Sequence, residues 1–348
     1  MYLHIDMDYF YAQVEEKRRP MAEGKIIVVC MYSGRSEDSG AVATVNYAGR
    51  EAGIRAGMPI SQARKRAPPA DSLFVPADRE YYALVSSQID EIVRKALSRV
   101  VQVSIDEWNA EDNNAAGKAS ELKKQIKSQL GLTSTAGVAP SLLGAKMAAS
   151  RAKPDGLLVL DKDQEKKTIE ESEPEKVPGI GPKTAEALKR LGVQTVGDLK
   201  KTDPITLVEL FGRKTGGRLH HLGLGDYGDE LGEEKEQEEV SRLGTLKEST
   251  RDANMILNKL DELEKDAREW LMYMKKSYRT LSIIFITEDM KTHTKSISFR
   301  NPRPWNSDTS KEKKQLVEGF LKEQELPVRR VGIRFGNFMD LGGQTTLF

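Results

Sequence analysis

Acidic side chains at two distant places constrain this chain more than any other feature. Residues Met1 to Tyr11, MYLHIDMDYFY, read as a short buried strand running into a loop. Tyr2, Leu3 and Ile5 are strand formers, and Asp6 and Asp8 lie two apart, on one face of an extended backbone. A second acidic pair, Asp106-Glu107, follows the apolar run Val100–Ile105, which reads as another strand. Carboxylates are costly to bury unless something cationic sits between them. Either pair alone would serve as a helix cap or a solvated turn. On neighbouring strands, however, the two pairs bring three or four carboxylates to one point, a donor set for the hard cation Mg2+. Such a set suits phosphoryl transfer, in which two ions about 3.5–4 Å apart hold the attacking and leaving oxygens.

The remaining composition narrows the class. A length of 348 residues predicts two to four domains, and 31% charged against 38% hydrophobic residues predicts charge-rich exposed helices. No apolar run approaches the roughly 18 residues of a membrane span, and no secretory signal precedes the first strand, so a cytoplasmic location is expected. The single cysteine, Cys30, lies in the run IIVVC and reads as a core filler, which excludes a disulfide framework or a multi-cysteine zinc site. Four histidines show no metal-ligand spacing. Net charge is only +1, but the chain beyond Val240 carries a basic surplus, as a phosphate-binding face requires.

Between the acidic pairs, a helix over Ala12–Arg19 and a strand over Lys25–Met31 lead into a Gly/Ser-rich loop, residues 33–40. Gly40, Ala41, Ala43, Ala48 and Gly49 are too small to build a core and leave space. Thr44, Tyr47 and Arg50, spaced three apart, would share one side of a helix, where a hydroxyl, a phenol and a guanidinium suit a triphosphate; the alternative is a solvated helix face. Helices over Asp78–Leu97, Ala115–Leu130 and Ser141–Ala152, with strands over Leu132–Ala139 and Leu157–Leu160, complete an α+β layer around the acids.

Residues 177–183, VPGIGPK, form a second sharp signal. A Gly-Ile-Gly hairpin feeding a helix over Thr184–Leu191 is the helix-hairpin-helix pattern, in which Gly179 and Gly181 let the backbone approach a phosphate and Lys183 follows. Residues 226–239 are polar and acidic and read as a linker. Beyond them, strands over Val240–Lys247, Arg279–Thr287, Thr294–Arg300 and Val328–Phe335 alternate with helices over Asp252–Lys275 and Ser310–Gln324. That βαββαβ order predicts a four-stranded sheet with both helices on one face. Arg329, Arg330 and Arg334 lie on or beside its last strand, with Lys295 expected as a neighbour. The chain ends QTTLF, a short tail able to dock on a partner.

Taken in order, five blocks carry a resemblance: IDMDYFY at 5–11, residues 33–50, SIDE at 104–107, AKPDG at 152–156 and the Gly-Ile-Gly hairpin. Together they resemble the Y-family DNA polymerases, specifically the DinB or Pol IV branch of lesion-bypass enzymes. The resemblance implies an α+β, multidomain right-hand polymerase: palm at 1–10 and 77–160, fingers at 11–76, a helix-hairpin-helix thumb at 161–228, a linker at 229–239, a βαββαβ little finger at 240–341 and a tail at 342–348. It implies a DNA-directed DNA polymerase of low fidelity, using two Mg2+ ions to join dNTPs to a primer 3′-hydroxyl. Asp6, Asp106 and Glu107 match the metal ligands, with the Met7 carbonyl completing one shell. Tyr9, Phe10, Tyr11, Thr44, Tyr47, Arg50 and Lys153 match the positions holding the nucleotide, Tyr11 as the gate against a ribose 2′-hydroxyl. Met31, Ala41, Ala43 and Gly57 would line an open pocket over the nascent base pair. Gly179, Gly181, Lys183, Lys295, Arg329, Arg330 and Arg334 are expected on DNA, and Gln344, Leu347 and Phe348 on a sliding clamp. The implied partners are primer–template DNA, dNTPs and that clamp, with the enzyme a monomer.

The chain departs from the family in three places. Trp108-Asn109-Ala110-Glu111 follows the second acidic pair where Ala/Cys-aromatic-Leu-Asp is usual, setting a bulky ring beside the metal site. Ser141-Leu142 replaces a common Asn-Lys, and the linker is acidic, which predicts weaker DNA binding. Two other functions use the same residues: a metal-dependent nuclease, which would have no use for the Thr44/Tyr47/Arg50 set, and a catalytically silent DNA-binding scaffold, for which Trp108 is the support.

Overall fold

A computed structural model describes residues 1–228, 231–233 and 237–340. The chain divides into two compact units. The first comprises residues 1–30, 42–56 and 64–234, and the second 31–41, 57–63 and 235–348.

The first unit is built on a five-stranded sheet ordered β5-β6-β1-β7-β8, from strands β1 (Tyr2–Met7), β5 (Arg99–Gln102), β6 (Glu107–Glu111), β7 (Ser134–Ala139) and β8 (Leu157–Val159). Strand β1 lies between two antiparallel partners, with Asp6 opposite Glu107 on one side and Thr135 on the other. Because strand side chains alternate, Leu3, Ile5, Met7, Trp108, Ala136 and Val138 all point to one face, where helices α1 (Phe10–Arg18), α4 (Arg79–Ala96) and α5 (Ala115–Leu130) cover them. At about 25 cal/mol per Å2, the burial of that apolar face is the main stabilisation of this layer.

The other face carries His4, Asp6, Glu107 and Asn109 and receives helix α6 (Leu142–Ala152). Close approach is possible because β7 has Gly137 at the crossing: a Cβ there would overlap the Ala145 carbonyl and the Ala149 amide. Ala139, Ala145 and Ala148 fill the remaining gap. Ser141 starts the helix, its hydroxyl accepting from Gly144 N–H (2.9 Å) and donating to buried Glu165 (2.7 Å), so this departure from the family pattern is a complete N-cap.

A smaller sheet, ordered β3-β2-β4, joins β2 (Ile26–Tyr32), β3 (Gly40–Val45) and β4 (Ser72–Pro76), with short helices α2 (Tyr47–Glu51) and α3 (Ile60–Arg64) nearby in the chain. Strand β4 escapes sequence reading because its apolar core is only Leu73-Phe74-Val75 between prolines. The last part of the first unit contains α7 (Lys162–Glu170), α8 (Pro182–Arg190) and α9 (Pro204–Leu224), the last broken at Gly212, whose φ is +76°. Their core is Ile169, Val177, Ile180, Leu188, Val193 and Leu219.

The second unit contains a four-stranded antiparallel sheet, ordered β11-β10-β12-β9, from β9 (Glu239–Thr250), β10 (Lys276–Thr287), β11 (Thr292–Arg303) and β12 (Val328–Asp340). Helices α10 (Ala253–Tyr273) and α11 (Ser310–Glu323) pack on the face bearing Tyr278, Leu281, Ile283, Phe285, Val331, Ile333 and Phe335. At this helix–helix contact Glu264 and Lys313 are buried as an ion pair, joined by Arg268 (2.5 Å from Glu264) and Asp261.

Candidate active site

The acids meet through a hairpin. Strand β5 ends at Gln102, so Val103–Ile105 do not extend it as expected; they form a bend. Asp106 lies in that bend and Glu107 opens β6. The Met7 amide donates to the Asp106 carbonyl (2.9 Å), clipping the hairpin end to the end of β1. Asp6, Asp106 and Glu107 thereby line one cleft of about 280 Å3, with Tyr9, Tyr11, Ala43, Thr44, Arg50, Ile105, Lys153 and the Met7 and Phe10 positions. The Met7 side chain is buried in the core, leaving only its backbone to face the cleft.

Two lysines neutralise the acids. Lys153 lies 2.7 Å from Asp6, and Lys146 of α6 lies 2.6 Å from Glu107. Burial pushes the Asp6 carboxyl up to about 6 even though Lys153 opposes the shift. Burial works the same way on Glu107, but the Lys146 ammonium outweighs it and holds that carboxyl below its ordinary value. The Asp106 carboxylate accepts from Ser104 Oγ at 2.6 Å. Carboxylates held in place by ammonium ions, one of them strained towards protonation, form a donor set suited to a divalent cation.

Asp8 is absent from the cleft, contrary to the shared-face expectation. Strand β1 ends at Met7, and Asp8 turns inward, fully buried, to accept from Thr135 Oγ1 (2.8 Å) and Asp155 N–H (3.0 Å). Nor does one helix carry Thr44, Tyr47 and Arg50. Thr44 is on β3 and the other two are on α2, yet Thr44 and Arg50 still reach the same cleft. The Tyr47 hydroxyl is 3.4 Å from Asp8, and its ring packs edge-on against Tyr9 and under Arg50. Burial and the nearby Asp8 charge raise the Tyr47 phenol to about 12. Tyr9 has left-handed backbone (φ 35°) at the start of α1 and donates to Glu16 (3.1 Å). Tyr11 stacks on Tyr82, ring centres 4.3 Å apart, with one side left to the cleft.

Trp108 does not crowd the acids. Alternation along β6 sends it to the opposite face from Glu107, where it is buried and donates from Nε1 to Asp90 (3.0 Å). Two residues absent from the sequence reading do adjoin the acids: Lys146 and His4. One ring nitrogen of His4 and single oxygens of Asp6 and Glu107 lie within 4.8 Å of one another. The signal was available, since His4 is two before Asp6 on the same strand face.

Of the expected base-pair pocket, Ala43 lines this cleft, whereas Met31 and Ala41 line a cavity of about 670 Å3 within the second unit, with Pro59, Leu243, Arg329 and Arg330. Gly57 has φ +82° and open space beside it. In the helix-hairpin-helix turn, Gly179 has φ +82° and a Cβ there would overlap the Arg218 guanidinium. Gly181 caps α8 with no atom crowding it, followed by Pro182 and Lys183. On the second sheet, Arg330, Gly332 and Arg334 share the face without helices. Lys295 is not their neighbour: it pairs with Ile283, which pairs with Ile333, so it lies two strands away on the helix face, where it bonds Glu323. Gln344, Leu347 and Phe348 lie outside the described residues.

Comparison with known proteins agrees with this arrangement. Three family models match in succession: the impB/mucB/samB family at residues 5–150, the thumb domain of DNA polymerase iota at 175–225, and the impB/mucB/samB C-terminal domain at 237–347. These models define a DNA polymerase of the error-prone class. The chain belongs to the Y family of DNA polymerases, in its DinB or DNA polymerase IV branch. It is 37% identical to the DNA polymerase IV of Methanosarcina acetivorans, over 99% of this chain and 98% of that one, and 33% identical to that of Saccharolobus solfataricus over 99% of each. Among solved structures it resembles a Y-family chimera, Dbh-Dpo4(243-245)-Dbh (TM-score 0.91, 31% identity, 97% of this chain and 99% of that one). It also resembles DinB from Sulfolobus solfataricus (TM-score 0.65, 30% identity, the same coverage).

Proposed function

We propose that the acidic cleft of the first unit is where this DNA-directed DNA polymerase of the translesion class joins a dNTP to a primer 3′-hydroxyl. The observation that carries this reading is the register of β1 against β6, which sets Asp6 opposite Glu107 at the mouth of a cleft that also holds Thr44, Arg50 and Lys153. Family membership implies divalent metal; Mg2+, two ions per site, is our assignment, with Asp6, Asp106, Glu107 and the Met7 carbonyl as ligands. When bound, the ions supply activation of the 3′-hydroxyl and neutralisation of the departing pyrophosphate.

The chain's own residues do the rest. Lys153 and Arg50 are cations that would receive the triphosphate, and Lys153, now paired with Asp6, would turn its ammonium to a phosphate oxygen. Thr44 offers a hydroxyl beside them. Tyr11, which stacks on Tyr82 and lines the cleft with Tyr9 and Phe10, would be the residue that excludes a ribose 2′-hydroxyl. Gly179, Gly181 and Lys183 would grip a DNA phosphate through the free N–H groups of the α8 start. Arg329, Arg330 and Arg334 would grip others, and Gln344, Leu347 and Phe348 would dock on a sliding clamp. Among the described residues, no helix is long and apolar enough to cross a membrane. We further assign a monomer working in the cytoplasm.

The test is extension of a labelled primer–template with Mg2+ and dNTPs. Wild type extends and Asp106→Ala does not; shortening of the primer would instead favour a phosphodiesterase, which would have no use for the Thr44 and Arg50 side chains in the cleft.

A further inference from the structure

Asp8 is a fully buried carboxylate (0% exposed) that does not line the acidic cleft. Its backbone is fixed: the Asp8 amide donates to the Thr133 carbonyl (3.2 Å), and the Gln13 side chain donates to the Asp8 carbonyl (2.6 Å). Its two oxygens accept from three neutral donors, each on a different part of the chain. Oδ1 takes Thr135 Oγ1 of β7 (2.8 Å) and the hydroxyl of Tyr47, which opens α2 (3.4 Å); Oδ2 takes the Asp155 N–H (3.0 Å). A buried carboxylate carries a large desolvation cost, which an apolar side chain of the same size would not. What the carboxylate supplies in return is a connection.

Two of its donors lead to the cations of the cleft. Tyr47 lies one helical turn before Arg50, whose guanidinium sits over the Tyr47 ring at 5.1 Å. Asp155 is two residues after Lys153; its backbone is left-handed (φ 48°), and its own carboxylate is held in turn by Lys123 (2.7 Å). We infer that Asp8 is a positioning residue for the triphosphate: it sets the distance between Arg50 and Lys153, which reach the cleft from separate elements. The Lys153 ammonium pairs with Asp6 and has to leave it to meet a phosphate, so that pair cannot set its place on the nucleotide. A long side chain that changes partners is placed by its backbone, and here the backbone is tied to Asp8. Misplacing a gripping group by about 1 Å can cost roughly a hundredfold. Because a phosphate grip is made before transfer as well as during it, its loss weakens dNTP binding more than it slows the chemical step.

The inference rests on the reading of the cleft as the dNTP site. Its test is dNTP binding in Mg2+ by the whole chain on a primer–template whose primer ends in a 3′-deoxy sugar, so that no transfer follows. Single-turnover extension of an ordinary primer supplies the rate. Asp8→Ala should raise the dNTP dissociation constant roughly tenfold or more, while the maximal extension rate falls by no more than about threefold. In an Arg50→Ala, Lys153→Ala background there is no spacing left to set, and the same substitution should change binding less than about twofold. Thr135→Val, which removes one donor and leaves two, is the gentler variant should Asp8→Ala fail to fold. It should show a smaller rise with the same dependence on the two cations. Equal effects in the two backgrounds, as a general loosening of the fold would give, overturn the inference; so does binding left unaltered in the ordinary background. Unaltered dNTP binding in the Arg50→Ala, Lys153→Ala variant itself overturns the reading of the cleft as well.

Discussion

Replacing Trp108 measures whether the residue that most departs from the family pattern acts on the chemistry or on the fold. The indole is 1% exposed, packed opposite Ile5 within the main core of the first unit, and its Nε1 donates to Asp90 at 3.0 Å. Trp108→Ala removes the ring altogether, and aromatic-to-alanine changes in a core cost about 3–5 kcal/mol. Trp108→Phe keeps most of the volume but loses a hydrogen bond to a charged acceptor, a bond of about 1.5–3 kcal/mol. Asp90 retains Arg94 (2.7 Å) and is partly exposed, so the loss belongs at the low end, about 2 kcal/mol with the missing ring atoms included. At roughly 2–4 °C per kcal/mol for a unit of this kind, Trp108→Phe should lower the midpoint of the first unit by about 4–8 °C. Far-ultraviolet circular dichroism against temperature is the measurement, because the other tryptophans, Trp270 and Trp305, both report on the second unit. Primer extension well below the midpoint should stay near wild type, since the ring and the Glu107 carboxylate occupy opposite faces of β6. Extension lost in a variant of unchanged stability would refute that argument and place the ring in the metal site's function.

Tyr11→Ala should admit ribonucleotides; unchanged sugar selectivity in single-nucleotide incorporation would remove Tyr11 from the gate. Deleting residues 344–348 should abolish stimulation by a sliding clamp and spare unstimulated synthesis; stimulation that survives would place the docking peptide elsewhere. In the second unit, Lys313→Met leaves Glu264 buried with Arg268 as its one cation and the Thr309 hydroxyl as a further donor, and removal of one partner from a buried pair costs about 3–5 kcal/mol, read from the tryptophan fluorescence of unfolding. Burial alone would lower the Lys313 ammonium, but Asp261 and Glu264 raise it above the ordinary lysine value. Its stabilisation is therefore complete below a pH of about 10.4 and fades as pH rises through the higher folded value. Lys313→Met should abolish that alkaline loss, and a variant with the wild-type alkaline profile would show that another group titrates.

Periodicity alone makes most of the sheet-and-helix order legible: the helix over Ala115–Leu130 has the bounds its pattern suggests, and the C-terminal βαββαβ unit has the expected order and helix face. Failures occur where the deciding contact is non-local. Helix α9 is hidden by Gly212, Gly216, Gly217 and Gly223, which weaken helix propensity. Gly216 and Gly223 are demanded by tertiary packing, against the Leu207 carbonyl and the Leu199 backbone. Lys295 looked like a partner of the arginines because strand order within a sheet is not written in chain order. Asp8 looked like a ligand because the end of β1 at Met7 is set by pairing with β7, and only that pairing turns the next carboxylate towards Thr135.

The same non-locality explains how two of the three carboxylates in the cleft, Asp6 and Glu107, come to be held by lysines from one short stretch. Lys146 and Lys153 are seven apart, two helical turns, so both project from one side of α6 and its end. That side faces the acids only because the helix lies close on the sheet, and it lies close because Gly137 has no side chain and Ala145, Ala148 and Ala149 have small ones. A run of small residues that reads as weak core is thus the part that sets the charge balance of the cleft. It brings one ammonium to Glu107 and one to Asp6 at hydrogen-bond distance; the first holds Glu107 below its ordinary value, and the second offsets only part of the burial that raises Asp6. Of the two, Lys153 lines the cleft, and because it stands at the end of the helix its ammonium can leave Asp6 without unpacking the helix from the sheet.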